Sequence, residues 1–289
     1  MAAVLLFICG SVLAPPLPAA SMYPMVVIDA LGRTVTLRTP PQRIISVAPS
    51  VTEILFALGL DRRIVGISAA DDYPPDKVGP KTKVGNVVLD AERILRLRPD
   101  LILGVASLQR AQLERLIALR QPVFAVDART LPEVYEQIAL IGRLTERAGQ
   151  AASLVAGMRR RERAVERAVA GRTTVRVYVE IWGEPLMTAG QGTFITDLVN
   201  RAGGQNVFAD VHGWPQVSEE AVVRRNPDVI VVTYPQGRGV LTRRGWQRVN
   251  AVRAQRVGVV SPSLVSRPGP RLVAGLERLA RIIHPEAFR

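Results

Sequence analysis

Residues 89–103 read Leu89-Asp90-Ala91-Glu92-Arg93-Ile94-Leu95-Arg96-Leu97-Arg98-Pro99-Asp100-Leu101-Ile102-Leu103. Residues 217–231 read Val217-Ser218-Glu219-Glu220-Ala221-Val222-Val223-Arg224-Arg225-Asn226-Pro227-Asp228-Val229-Ile230-Val231. The two align without a gap: Glu, Arg, Pro, Asp and Ile coincide, and most other positions keep their apolar or polar character. Each copy offers a side-chain oxygen, Asp90 or Ser218, to the first N–H groups of a short helix. A Pro-Asp turn follows, then an apolar run of the kind that is buried on both faces of a parallel sheet. A repeated helix–turn–strand unit predicts two similar α/β lobes in one chain.

The alternation extends outward from the first copy. Val26 to Leu37 reads as a hairpin turning at Gly32, Arg43 to Val47 as a buried strand, Val51 to Leu58 as a helix stopped by Gly59, and Ile64 to Ser68 as a strand. Beyond the copy come a helix at Ala111 to Leu119, a strand at Val123 to Val126 and a helix at Leu131 to Leu144. Residues Arg147 to Ala170 hold no proline and carry Ala148, Ala151, Val155, Met158, Val165 and Val169 at helical spacing before Gly171. They predict one amphipathic helix of roughly 36 Å, a rigid strut rather than a linker. The pattern then restarts with a strand at Val175 to Ile181, a helix at Phe194 to Ala202 and a strand at Val229 to Thr233. The fold class expected is α/β: two Rossmann-like lobes joined by one long rigid helix, with a ligand cleft between the lobes. The boundaries are 1–20 leader, 21–146 first lobe, 147–170 connecting helix and 171–289 second lobe.

At 289 residues with 48% hydrophobic and 22% charged residues, the chain has the composition of a globular protein. The sustained apolar run is at the start, where Ala2 to Ala14 is uncharged and is followed by Pro15, Pro16, Leu17, Pro18, Ala19 and Ala20. It is short for a bilayer span and fits the apolar stretch and small-residue cleavage zone of a signal peptide, so an exported, periplasmic protein is expected. Cys9, the single cysteine, falls inside that segment behind Ile8, which argues against lipidation there and leaves a thiol-free mature chain. The net charge of +13 comes from three lysines and 35 arginines spread over every segment with few aromatics between them. That spread describes a solvated basic surface rather than a nucleic-acid footprint.

Several segments together resemble the helical-backbone (class III) periplasmic binding proteins of ABC importers, the cobalamin, haem and iron-siderophore family, and most closely its cobalamin-binding type. They are Arg43-Ile44-Ile45-Ser46-Val47-Ala48-Pro49-Ser50 with Thr52-Glu53, Asp72-Tyr73-Pro74-Pro75, Ala91-Glu92-Arg93-Ile94 through Pro99-Asp100-Leu101, Trp214-Pro215-Gln216-Val217-Ser218, and Arg267-Pro268-Gly269-Pro270-Arg271. The resemblance implies a monomeric receptor that captures a small-molecule metal chelate and delivers it to the permease subunits, with the chelate as cargo and no resident cofactor. It places Glu92 and Glu220 at the lobe tips that dock on permease arginines. Both are second residues of their helices, where a carboxylate also favours the helix dipole.

For the ligand, the resemblance implies that Tyr73 and Trp214 lay aromatic faces on a flat macrocycle, that Met187 packs softly on it where relatives have an aromatic residue, and that Arg267 reaches a polar edge. Each has a structural alternative: Tyr73 can pack on Pro74 and Pro75, and Arg267 can anchor the Pro-Gly-Pro turn. Trp182 and Tyr234, near the ends of second-lobe strands, are further aromatic candidates. Asn86, Val105 and Ser263 stand where the cobalamin type has two tryptophans and an aspartate.

No catalytic or metal-binding residue is expected. The sequence has no G-x-x-x-x-G-K-[ST] loop and no G-x-S-x-G elbow, and its two histidines, His212 and His284, are far apart in the chain. The alternative is an α/β enzyme using carboxylate chemistry in the interlobe cleft.

Overall fold

The computed structural model describes residues 22–288 other than 236. The expected leader, with Cys9, lies outside them. A hairpin of β1 (Met25–Ile28) and β2 (Thr34–Leu37) precedes the first sheet. Then follow β3 (Ile44–Ser46), α1 (Pro49–Ala57), β4 (Ile64–Ile67), α2 (Pro75–Val78), α3 (Ala91–Arg96), β5 (Leu101–Val105), α4 (Ala106–Ala118), β6 (Val123–Val126) and α5 (Leu131–Leu144). The four strands form a parallel sheet in the order β4-β3-β5-β6.

Helix α6 (Ala148–Val169) leads to β7 (Val175–Gly183), β8 (Leu186–Thr188), α7 (Phe194–Arg201), β9 (Gly204–Asn206), α8 (Glu219–Arg225), β10 (Val229–Val232), α9 (Asn250–Arg253), β11 (Val257–Val259), α10 (Pro262–Val265) and α11 (Leu272–Ile283). Their sheet runs β11-β10-β7-β8, with β9 also paired to β7, and all pairs except β7 with β8 are parallel.

The repeat is a structural one. In the first copy Asp90 caps α3 by accepting the Arg93 N–H, and in the second Ser218 caps α8 by accepting that of Ala221. Arg98 and Asn226 turn the chain at φ 45° and 40°. The aspartate of each Pro-Asp turn then clamps the neighbouring strand: Asp100 accepts the Arg43 N–H at 2.8 Å, and Asp228 accepts the Arg176 N–H at 3.4 Å. The same two arginines donate back to the helix ends, Arg43 to Leu97 O and Arg176 to Arg225 O, which satisfies carbonyls left open at a helix carboxyl terminus. Strand β5 therefore pairs with β3 as β10 pairs with β7.

Helix α4 begins five residues before the stretch that periodicity assigns. Gln109 breaks the helical geometry at φ −136°, joining two helical pieces across a kink, and its side chain donates to Val47 O at 2.6 Å. The interruption spoils the periodic signal of the first turn.

The two lobes share one core. The largest apolar cluster takes Ile44, Leu103 and Phe124 from the first lobe, Met158 and Val165 from α6, and Val177, Leu198 and Ile283 from the second, all buried. Smaller clusters fill the outer face of each sheet. Helix α6 spans about 33 Å, lies against both α5 and α11, and holds the buried Glu162 between Tyr135 and Arg201.

Candidate ligand-binding site

Parallel strands deliver the loops at their carboxyl ends to one edge of each sheet, where α/β sheets bind ligands. From the first lobe these loops bring Glu53 in α1 and the Asp71-Asp72-Tyr73 segment after β4. From the second come Arg267 and Arg271, between α10 and α11.

The two sets meet. Arg267 lies 2.5 and 3.1 Å from the carboxylate oxygens of Asp72 and 3.3 Å from Glu53 Oε1. Arg271 forks onto Glu53 at 3.0 and 2.8 Å, and its guanidinium stacks 3.9 Å from the Tyr73 ring centroid. The Glu53 side chain is only 3% exposed, so its charge depends on these two partners. The hydrogen bond from Arg267 holds the Asp72 carboxyl below its usual range. Burial works against the charge on Arg267, but Asp72 and Glu53 outweigh it and raise its pKa.

Asp71 behaves oppositely. Burial pushes its carboxyl up to about 6 despite the Thr52 hydroxyl 2.8 Å from Oδ2 and the nearby Lys83 and Arg267, and Oδ1 has no hydrogen-bond partner among the described residues.

A second constellation stands at the end of β7. Glu180 is fully buried and is held by Arg243 at 2.7 and 2.8 Å, while the Tyr234 hydroxyl donates to the same carboxylate. Arg243 also stacks over Trp246, 4.4 Å from its centroid. Burial and the adjacent Glu180 push the Tyr234 hydroxyl up to about 12. The Trp182 ring, 56% exposed, tilts against Tyr234 at 6.5 Å. Trp182, Gly183, Glu184, Tyr234 and Arg243 line a recess of about 370 Å³.

Residues 44–264 match the family model described as periplasmic binding protein. The chain belongs to that family. It is 35% identical over 277 residues to the uncharacterized ABC transporter substrate-binding lipoprotein YvrC of Bacillus subtilis, covering 93% of this chain and 88% of that one. It is 33% identical over 247 residues to the vitamin B12-binding protein of Pectobacterium atrosepticum, covering 83% and 87%. Among solved structures, a possible iron-binding (periplasmic solute-binding) protein of Staphylococcus epidermidis superposes with a TM-score of 0.76 at 34% identity, over 85% of this chain and all of that one.

In this periplasmic binding protein the four residues anticipated at the ligand fall into two groups. Tyr73 and Arg267 belong to the interlobe ion-pair cluster. Met187 and Trp214 both lie in the second lobe, where Met187 in β8 bridges to Gln216, two residues after Trp214. The Trp214 ring is 43% exposed and rests on Phe194 at 5.6 Å. Arg267 does more than anchor its own turn, since its contacts cross to the other lobe.

Sequence reasoning did not single out Asp72 or Arg271 individually, nor Glu180 or Arg243. It also passed over three apolar side chains at the carboxyl edge of the first sheet: Val87 (80% exposed), Val88 and Leu108. Val87 and Val88 lie past the end of β4, where Ile67 bridges to Lys83, and Leu108 is in the first turn after β5. A short apolar pair inside a loop carries no periodicity, so exposure alone reveals it. Val105, aligned with a tryptophan of the cobalamin type, is buried in β5.

Glu92 and Glu220 are both exposed. Each helix runs back along its sheet into the next strand, so its amino terminus, with its glutamate, lies at the carboxyl edge of its own lobe. The Glu92 side chain is 86% exposed, with Arg96 at 3.6 Å. Its own backbone N–H and the Ser218 hydroxyl hold the Glu220 carboxyl below the usual range. His284 is buried against Gly203 O and Glu286, whereas His212 lies in an exposed loop.

Proposed function

We propose that this chain is the exported, periplasmic substrate-binding component of an ABC importer. In this reading it captures cobalamin or a related metal chelate (haem or a ferric siderophore) and hands it to the permease. The chelate is cargo rather than a resident cofactor, and the receptor works as a monomer. The observation that carries this reading is that large apolar side chains stay exposed on both lobes, Val87, Val88 and Leu108 on the first and Trp182 and Trp214 on the second, while Arg267 and Arg271 bring the loops of the two lobes together. A bulky, flat ligand offers such surfaces the apolar area that a folded monomer otherwise buries. Relatives named for vitamin B12 and iron binding supply the ligand class. Tyr73, Met187, Trp214 and Arg267 are assigned to the ligand, and Glu92 and Glu220 to the permease. An enzymatic reading would have to rest on Asp71, since Glu53 and Glu180 are tied into arginine pairs and are not free to act as acid or base.

The test is direct titration of the purified mature protein with cyanocobalamin, haemin and a ferric hydroxamate. All three tryptophans lie in the second lobe, two of them exposed at the proposed site, so their fluorescence reports occupancy. Saturable one-to-one quenching by at least one chelate is expected. A flat response to all three, with the protein folded, would defeat the reading.

A further inference from the structure

The arginines at the proposed site are already spoken for. Arg267 is forked on Asp72, Arg271 on Glu53, and Arg243 on Glu180. A guanidinium that meets a carboxylate edge to edge uses the geometry a ligand carboxylate would need. Glu53 and Glu180 are buried and serve as permanent counter-ions, but Asp72 is different: its side chain is 61% exposed, it sits one residue before Tyr73, and it comes from the opposite lobe to Arg267.

We infer that Asp72 is a specificity-determining residue, occupying the Arg267 fork in place of a ligand carboxylate and so favouring chelates with a neutral, amide-like edge over chelates with an anionic one. This rests on the chelate-binding function proposed above. An anionic ligand edge must either displace Asp72 from Arg267 or lie beside an uncompensated carboxylate, and both oppose binding. A neutral edge can accept from remaining guanidinium N–H groups with the pair intact. Asp72 acts through Arg267 and is a positioning residue.

The probes are haemin, which carries two free propionates, and haemin dimethyl ester, which has the same iron porphyrin without those charges. Affinities of the wild type, Asp72→Asn and Asp72→Ala are measured by fluorescence titration. The readout is the ratio of haemin to ester affinity, which a general loosening of the site does not move. In Asp72→Asn, which keeps the side-chain shape, the ratio is expected to rise about 10-fold or more, the scale of one charge-assisted hydrogen bond gained. Asp72→Ala should match it, and Asp72→Glu should return the ratio toward the wild-type value. An unchanged ratio in folded Asp72→Asn and Asp72→Ala, with both probes binding, overturns the inference while leaving the chelate-binding function standing. If neither probe, nor cyanocobalamin, binds any of the proteins, the function itself falls and the inference with it.

Discussion

Replacing Glu53 with glutamine should cost more than any surface ion pair. The side chain is 3% exposed and meets two guanidinium groups from the other lobe at 2.8 to 3.3 Å. Breaking one side of a fully buried pair typically costs about 3–5 kcal/mol. The arginines here are 20% and 22% exposed, Arg267 keeps Asp72, and Arg271 keeps the face of Tyr73, so water and the remaining partners relieve part of the loss. A loss of about 2–3 kcal/mol follows. Glutamine preserves shape and one acceptor oxygen, so the figure isolates charge from packing. Urea unfolding should be followed by tryptophan fluorescence, which reports the second lobe, and by far-ultraviolet circular dichroism, which reports both. Because the core runs through α6, the two transitions should stay superimposed while the midpoint falls. A stability within about 0.5 kcal/mol of wild type, the size of an ordinary surface change, would refute the view that Glu53 depends on this pairing.

Asp71 sets a pH dependence of the opposite kind. Its folded pKa, about 6, exceeds the ordinary 3.8, so the folded state binds the proton more tightly; the contribution of Asp71 to stability is greatest below pH 4, declines as pH rises to about 6, and then levels. The span corresponds to about 2–3 kcal/mol, and Asp71→Asn should flatten this slope and be more stable than wild type at pH 7, as thermal melts between pH 4 and 8 would reveal. Ala at both Glu92 and Glu220 should leave chelate titrations unchanged and abolish uptake in a reconstituted transporter; normal uptake would remove both residues from the permease contact. Trp214→Ala and Trp182→Ala should each weaken chelate binding by about 2- to 10-fold, the value of one aromatic face on a ring, whereas undiminished affinity in both would place the ligand elsewhere.

The fold was legible where its determinants are local. The helix caps at Asp90 and Ser218, the Pro-Asp turns and the uninterrupted apolar spacing of residues 148–169 lie within one or two helical turns of what they specify. The last 40 residues were less legible: β11 has only three residues, all half-buried, and α10 is only four residues long, too few for any period to show. Trp246 is fully buried, yet its ring partner Tyr178, which in turn packs on Phe208, comes from a distant segment. The same distance hid the polar half of the site. Arg267 and Arg271 find Asp72 and Glu53 across 195 to 218 positions, and with 35 arginines in the chain nothing local marks which two will pair across the lobes. Residues that end an apolar wall, such as Leu108, look like ordinary loop hydrophobes until the sheet edge is in place.

The shared apolar cluster sets a limit on how far the two repeated halves of this chain can be treated as separate. Although Arg43 and Arg176 do the same work in their respective halves, those halves can no longer be parted. A fragment severed at Gly171 would leave Met158 and Val165 of α6 without Leu198 and Ile283 to cover them. Modular swapping of one half between relatives must therefore carry α6 and the facing surfaces of α5, α7 and α11 along with it, and the unit of inheritance has become the entire molecule.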